Sequence, residues 1–156
     1  MRDIVGSPES KGKHARVEKS SIDGFGLYAC EDFARSVLVC RYDGRRIPAA
    51  ALACSEAEPG RYWLQLPDGD VLDGACGREP GRWINHSCCP NAEWTERRGE
   101  VWARTTRCVR AGEEITVDYG FDLDGATGRP CRCGAANCVG FVVAQAYHPV
   151  MRLLYG

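Results

Sequence analysis

The sequence predicts a single β-rich α+β domain, and three observations support this fold class. Short β-branched and aromatic runs recur roughly every 8 to 15 residues, separated by turn signals rich in Gly, Pro, Asn and Asp. Only one stretch carries clear helix start and stop signals. The 156 residues suffice for one core that buries about 68–70% of the unfolded chain's surface, and are too few for two comfortable domains.

The composition is that of an ordinary soluble protein. Hydrophobic residues make up 44%, charged residues make up 26% and the net charge is −1, so no whole-chain field would attract nucleic acid or an anionic membrane. Residues 1–13 are polar and aperiodic, which predicts a flexible N-terminal tail without a signal peptide. No apolar run suits a membrane span, and we expect no membrane partner. We expect the ten cysteines to stay reduced.

The first third of the chain predicts two strands on either side of a glycine motif. Structure should begin with a strand at His14–Glu18. The segment Ile22–Ala29 then matches a dinucleotide-binding fingerprint, with Asp43 in place for the ribose. That fingerprint needs a helix launched from the glycines, but the β-branched run Val37–Tyr42 follows too soon for one. We therefore reject nucleotide binding of that type and keep the glycines as a point of close backbone approach.

The middle of the chain predicts one helix and two hairpins. Pro48 opens a helix from Ala49 to about Glu58, a helical insert of about residues 48–60. Turn residues between Tyr62–Leu66 and Asp70–Asp73 predict a first hairpin. The later strands are predicted at Ala92–Thr95 and Val101–Thr105, which form a second hairpin, and at Ile115–Tyr119.

Two polar stretches carry the candidate chemistry. Asn85-His86-Ser87-Cys88 precedes Cys89-Pro90-Asn91 and predicts an ordered turn, because Asn and Ser compete for backbone hydrogen bonds and Pro90 removes a donor. Cys131, Cys133 and Cys138 place three thiols on a Gly-rich loop, which suits three corners of a zinc site. Cys88 is the candidate fourth ligand and Cys89 the alternative. Without metal, a capped turn with a buried Cys and a set of exposed or disulfide-bonded thiols remain open.

Five motifs follow one another along the chain: Gly24-x-Gly26, Tyr42-Asp43-Gly44, Arg82–Asn91, Gly112–Gly120 and the Cys-x-Cys-x4-Cys-x-Gly run from Cys131 to Gly140. In this order and spacing they resemble the SET domain of protein-lysine methyltransferases with its post-SET zinc segment, over about residues 15 to 143. The resemblance implies several small β-sheets with a knot-like C-terminal threading and a zinc-stapled post-SET loop. It implies a SET domain at 14–122, a post-SET segment at 123–143 and a C-terminal extension at 144–156.

By the same resemblance, the chain would transfer a methyl group from S-adenosylmethionine to a lysine amine, leaving S-adenosylhomocysteine, and would carry a structural zinc ion. The implied cofactor-binding residues are Gly24, Phe25, Gly26, Leu27, Asn85, His86, Tyr119 and Phe141. The implied catalytic residues are Tyr119 and Tyr42, and the implied substrate channel is Tyr42, Trp94 and Phe121. The implied zinc ligands are Cys88, Cys131, Cys133 and Cys138.

The sequence departs from the family pattern at three points. Gly77-Arg78 stands where Gly-Asn is common, and Trp83 stands where Phe is common. Val117 occupies a position where many relatives carry the Phe or Tyr that limits the number of methyl groups added. We therefore hypothesise that Trp94, a wall position in other relatives, limits methyl number here.

The expected partner is a lysine-containing protein or peptide, with a histone tail among the candidates. The helical insert and the strand near Tyr62 are expected to border its groove, where an extended peptide can pair by strand addition. A lysine methyltransferase for non-histone proteins only and a catalytically silent SET-like module remain alternatives. Direct nucleic-acid binding is not expected, because the arginines between Arg97 and Arg110 alternate with strand residues and acids. The resemblance is to a compact stand-alone form of the family. For a bacterial source we expect the protein in the cytoplasm or delivered to a host nucleus. For a eukaryotic source we expect it in the nucleus.

Overall fold

Three small β-sheets and few helices make up the structure, a computed structural model that describes residues 14–53, 62–124 and 126–155. In chain order the elements are β1 (Ala15–Lys19), β2 (Phe25–Ala29), β3 (Leu38–Tyr42), β4 (Arg45–Ile47), α1 (Ala49–Ala53), β5 (Trp63–Gln65), β6 (Val71–Asp73), β7 (Asn85–His86), β8 (Ala92–Arg97), β9 (Glu100–Thr105), β10 (Glu114–Val117) and α2 (His148–Tyr155). The sheet orders are β1-β2-β10-β7, β3-β9-β8 and β4-β6-β5. The predicted β-rich fold class is confirmed. The predicted N-terminal tail lies outside the described residues.

The glycine motif opens a strand and not a helix. Gly24 has φ +48°, a left-handed conformation that glycine adopts at little cost. The chain then enters β2, which pairs antiparallel with β1 in the register Leu27↔Val17. These glycines are therefore followed by a strand, where the dinucleotide-binding fingerprint requires a helix.

β10 is one of the two inner strands of the first sheet and lies between β2 and β7. It runs antiparallel to β2, with Ile115 opposite Leu27, and parallel to β7, with Val117 opposite His86. Three consecutive residues, Ile115 to Val117, are buried, as expected for a strand covered on both faces. The fold thus brings the polar segment after residue 84 against the middle of the sheet.

Two local predictions near this strand are wrong. Asn85 and His86 form a strand, because β10 offers them a hydrogen-bonding edge, and only the residues after them turn. The predicted strand to Tyr119 ends at Val117. It ends because the Tyr119 N–H donates to the His86 ring at 3.2 Å, and because Gly120 has φ +70°.

The two predicted hairpins are confirmed, with small shifts at their ends. β5 pairs with β6 and β8 pairs with β9, both antiparallel. The unpredicted β4 adds a third strand to the first hairpin, and its Arg46 pairs with Asp68 and Asp70. The hairpin's acidic side chains are therefore engaged within the fold.

The helices differ from the prediction in extent. α1 begins at Ala49 as expected, and its N–H groups use the Pro48 carbonyl and the Asp70 carboxylate. The remainder of the predicted helix, residues 54–58, lies outside the described residues. α2 was not predicted. Neither α1 nor α2 has the length and apolar character to span a bilayer.

The apolar core lies mainly between the first and second sheets. Its fully buried members include Leu27, Ala103, Val109 and Ile115. A smaller cluster under the C-terminal segment gathers Phe141 and other residues against Met151 of α2. The C-terminal segment therefore has little core of its own.

Candidate active site and metal centre

An aromatic cavity of about 860 Å³ opens where the third sheet meets the end of β10. Its lining includes all four residues that the sequence assigns to the catalytic group and the channel: Tyr42, Trp94, Tyr119 and Phe121. The fold brings these residues together from three separate segments of the chain, since the end of β3, β8 and the residues beyond β10 converge there. The edge strand β5 forms another wall.

Tyr42 forms the buried end of this cavity. Its hydroxyl donates to the Tyr62 carbonyl at 2.5 Å, and its ring meets Trp94 edge to face, with centroids 5.3 Å apart. Burial raises the pKa of Tyr42, and the neighbouring Tyr119 and Asp73 act in the same direction. Tyr42 is therefore a neutral phenol at physiological pH.

Tyr119 is held at both ends by the segment that contains β7. Its hydroxyl donates to the Ile84 carbonyl at 3.0 Å, and its backbone N–H donates to His86 Nδ1 at 3.2 Å. Its ring packs beside Phe121 at 5.6 Å. Tyr119 is 38% exposed, so its hydroxyphenyl group lies at the mouth of the cavity in a fixed orientation.

Asn85 ties the glycine motif to β10. Its Nδ2 donates to the Phe25 carbonyl at 3.0 Å and to Glu114 Oε1 at 2.8 Å. A Cβ added at Gly26 would lie 2.0 Å from the same Glu114 oxygen, so the close approach that Gly26 allows is to a carboxylate of the protein itself. Sequence analysis did not assign Glu114 to the site, although this residue lies within the Gly112–Gly120 motif.

Arg82 and Trp83 were also missed as site residues. Trp83 packs edge to face against Phe25 at 5.6 Å and against Tyr62 at 5.7 Å. The guanidinium of Arg82 lies over the Trp83 ring at 5.0 Å and also lines the aromatic cavity. The position where Trp replaces the family's Phe therefore belongs to an aromatic stack beside the cavity.

Two residues that the resemblance assigns to the cofactor have other surroundings. Leu27 is fully buried in the core, and its backbone pairs with β1 and β10. The Phe141 ring packs against Tyr155 of α2, with centroids 5.0 Å apart, and the Phe141 carbonyl lies 3.9 Å from Cys88 Sγ.

The four predicted zinc ligands form one cluster. The sulfurs of Cys88, Cys131, Cys133 and Cys138 all lie within 4.8 Å of one another. Cys88 Sγ is 3.7 Å from Cys138 Sγ and 3.8 Å from Cys131 Sγ. A regular tetrahedron with Zn–S bonds of about 2.3 Å has edges of about 3.8 Å, so the cluster has the dimensions of a zinc site. Cys89 is exposed and lies outside it.

The thiols of this four-cysteine cluster differ in acidity. Burial raises the pKa of Cys88 to about 12 and also raises the pKa of Cys131. Burial acts to raise the pKa of Cys133 too, but hydrogen bonds from the N–H groups of Cys88 and Ala135 prevail and lower it to about 7. Cys88 and Cys131 are therefore protonated in the absence of a cation, and a bound cation would be needed to hold all four residues as thiolates; zinc fits this donor set.

The cluster is also tied to the chain by hydrogen bonds to one carbonyl. Asn137 Nδ2 and Gln145 Nε2 both donate to the Cys88 carbonyl, at 3.3 Å and 3.1 Å. The Asp118 carboxylate accepts from the Gln145 N–H at 2.8 Å. The C-terminal segment is thus pinned next to the residues that flank Tyr119.

The chain is similar in sequence to known proteins over most of its length. The sequence model described as the SET domain matches residues 24–120. The chain is 34% identical over 142 residues to a histone-lysine N-methyltransferase, H3 lysine-36 specific, of Yarrowia lipolytica, which covers 83% of this chain and 18% of that protein. It is 32% identical over 155 residues to histone-lysine N-methyltransferase 2D of Homo sapiens, covering 88% of this chain and 3% of that protein.

A third similar protein is a histone-lysine N-methyltransferase, H3 lysine-4 specific, of Cryptococcus neoformans var. neoformans, 34% identical over 142 residues, which are 83% of this chain and 10% of that protein. The chain thus spans between 3% and 18% of the length of these relatives. The similarity concerns one domain of each.

The metal centre predicts different outcomes for two adjacent cysteines. Cys88→Ser should lose tightly bound zinc, because it removes a buried ligand sulfur. Cys89→Ser should keep about one zinc ion per chain, because its exposed sulfur lies outside the cluster. Elemental analysis of the purified variants after dialysis against a chelator measures both. Zinc loss in Cys89→Ser with retention in Cys88→Ser would contradict this assignment.

Proposed function

The chain belongs to the SET domain family, and on that premise we propose that it transfers a methyl group from S-adenosylmethionine to the side-chain amine of a lysine in a protein. The observation that carries the proposal is the convergence of Tyr42, Trp94, Tyr119 and Phe121 on one aromatic cavity. The residues that the resemblance assigns to the methyl donor, Asn85 and His86, adjoin Ile84 of that cavity.

The aromatic cavity suits a lysine side chain. Its rings can cover the methylene stem, as aromatic faces do for long aliphatic chains. A poorly solvated site disfavours the charged ammonium and so lowers the pKa of the lysine amine. The cavity therefore favours the neutral amine, which is the nucleophile.

The segment around β7 suits the methyl donor. S-adenosylmethionine supplies an electrophilic methyl group on a sulfonium centre. The carbonyls of Asp23 and Phe25 and the Glu114 carboxylate converge on Asn85 Nδ2, and such an acceptor-rich corner suits an amino-acid ammonium group. We assign Gly24 to Gly26 and the backbone of Asn85 and His86 to this side of the site. Phe141 remains a proposed contact and would have to part from Tyr155.

We assign Tyr119 to the position beside the reacting atoms and Tyr42 to the buried end of the same cavity. The Tyr119 hydroxyl hydrogen is directed at the Ile84 carbonyl, so the phenol oxygen can act as an acceptor toward the cavity. The reaction needs attacking nitrogen, methyl carbon and leaving sulfur in line, and such alignment supplies roughly 7–11 kcal/mol in well-oriented systems. Tyr119 would serve that alignment, because hydrogen bonds hold both its hydroxyl group and its backbone N–H.

The proposed substrate is a lysine in an extended protein segment. β5 is an edge strand, and Trp63 to Leu66 line the cavity, so a substrate strand that pairs with β5 would pass the cavity mouth. The relatives' names specify histones, which supports a histone tail as substrate and a nucleus as the place of action. The expectation of no nucleic-acid contact stays a prediction.

Loss of the Tyr119 hydroxyl should reduce turnover while leaving binding of the methyl donor intact. Tyr119→Phe is expected to lower kcat by about 10²–10³-fold, as does removal of one oriented polar group in other enzymes. The matched control is Tyr147→Phe, since Tyr147 packs in the C-terminal cluster away from the cavity lining. Turnover is followed on a peptide array with labelled S-adenosylmethionine, and cofactor affinity by calorimetry. Full turnover in Tyr119→Phe would contradict its role, and no methylated peptide with the wild-type protein would favour the silent module.

Trp94 should limit the number of methyl groups added. Trp94→Ala removes the ring that packs on Tyr42 and enlarges the cavity, so mass spectrometry of the peptide product should shift toward higher methylation states. Trp102→Ala is the control, because Trp102 packs under Arg41 and does not line the cavity. An unchanged product distribution in Trp94→Ala would rule out this role.

A further inference from the structure

The His86 ring accepts a hydrogen bond from a backbone N–H group, which can act only as a donor. The backbone N–H of Tyr119 points at His86 Nδ1 at 3.2 Å. Only an unprotonated ring nitrogen can accept such a bond, and both nitrogens of an imidazolium are donors. The ring is therefore neutral, and its proton lies on Nε2.

The protonated nitrogen faces the four-cysteine cluster. His86 Nε2 lies 3.8 Å from Cys88 Sγ, and both residues are buried, with exposures of 3% and 0%. Sulfur is a large acceptor, and a metal-bound thiolate accepts more strongly than a thiol because it carries charge. Groups that donate to metal ligands fix their orientation and tune the metal site.

Resting on the proposed function, we propose that His86 is a positioning residue that connects the metal centre to the reacting centre: its Nε2–H donates to Cys88 Sγ, and its Nδ1 holds the backbone of Tyr119. The Tyr119 hydroxyl is anchored on Ile84, so both ends of Tyr119 are set by residues within four positions of a metal ligand. Both ring nitrogens then have protein partners, so His86 would bind the methyl donor through its backbone.

The opposite tautomer does not fit the surroundings. Asp118 Oδ1 lies 3.8 Å from His86 Nδ1, too far for a hydrogen bond between nitrogen and oxygen. A proton on Nδ1 would face the N–H of Tyr119 and leave that donor without its acceptor. It would also turn the Nε2 lone pair toward the sulfur of Cys88. The geometry therefore selects the Nε2–H form.

The hydrogen bond can be observed directly, without an activity measurement. We would replace zinc with ¹¹³Cd in protein carrying ¹⁵N-labelled histidine and record the imidazole resonances. The expected result is a slowly exchanging His86 Nε2 proton coupled to ¹¹³Cd through the Cys88 sulfur. A proton on Nδ1, or cadmium bound with no coupling to this proton, would overturn the proposal. Because wild-type protein is used, the result does not depend on the folding of a variant.

Two variants separate the two bonds of the ring. In His86→Asn the carboxamide oxygen takes the place of Nδ1, so the contact to Tyr119 can persist while the donor to Cys88 is lost. In His86→Gln the longer carboxamide can place its NH₂ group near the position of Nε2, so the donor persists while the acceptor for Tyr119 is lost. The first change should weaken metal retention against a chelator by about 10–100-fold, while the Tyr119 amide proton, which donates to position 86, stays protected from hydrogen exchange. The second should retain zinc, expose the Tyr119 amide proton to exchange and lower kcat at least tenfold.

Equal losses of zinc retention and of Tyr119 amide protection in both variants, or no loss in either, would overturn the proposal, since a merely structural role would not separate the two measurements. The metal measurements also separate this inference from the proposed function. A wild-type protein that methylates no peptide contradicts the function, whereas the cadmium coupling and the chelator assay still decide whether His86 is bonded to the metal centre.

Discussion

The parallel pairing of β7 with β10 is the constraint on which the rest of the site depends. It places His86 opposite Val117, so the chain that leaves β10 carries Tyr119 directly past the His86 ring. Two residues after His86, Cys88 enters the four-cysteine cluster. Asn91 reinforces the pairing from a buried position, since it accepts from the Thr116 N–H at 2.9 Å and donates to the Glu114 carbonyl at 2.8 Å. One short strand thus sets the positions of two chemically different centres.

The elements that the sequence predicted well are those with local signals. In the two hairpins, the alternation of apolar and polar residues and the turn residues are nearly sufficient to determine the strand pairing. The residues of the aromatic cavity were identified from the order of the sequence motifs. The strand at Asn85 and His86 could not be predicted from its residues, because its partner is about 30 residues away and the composition favours a turn. The end of β10 depends likewise on a bond between Tyr119 and His86 that spans 33 positions. Glu114 was missed because a carboxylate in a Gly-Glu-Glu turn is ordinarily a solvated side chain.

Zinc bound at the four-cysteine cluster would order a C-terminal segment that has few stabilising contacts of its own. Its loop holds few internal bonds, among them Cys131 N–H to the Gly140 carbonyl and Cys138 N–H to the Ala135 carbonyl, and its apolar cluster is small. Zinc bound by thiolates contributes on the order of 10 kcal/mol to the folding of such segments. The same loop carries Phe141, which the proposed function assigns to the methyl donor. Metal binding is therefore expected to act on the cofactor side of the site through the order of this loop, and on Tyr119 through His86.

We propose that zinc binding at the four-cysteine cluster and binding of the methyl donor are energetically coupled, through the segment from Ile84 to Cys88 and through the loop that carries Phe141. The most direct test is calorimetric titration of S-adenosylmethionine into zinc-loaded protein and into protein whose zinc has been removed and quantified by elemental analysis. The affinity should be at least tenfold weaker after zinc removal, which corresponds to about 1.4 kcal/mol, and it should recover when zinc is restored. The same affinity in both forms, with zinc loss verified, would contradict it.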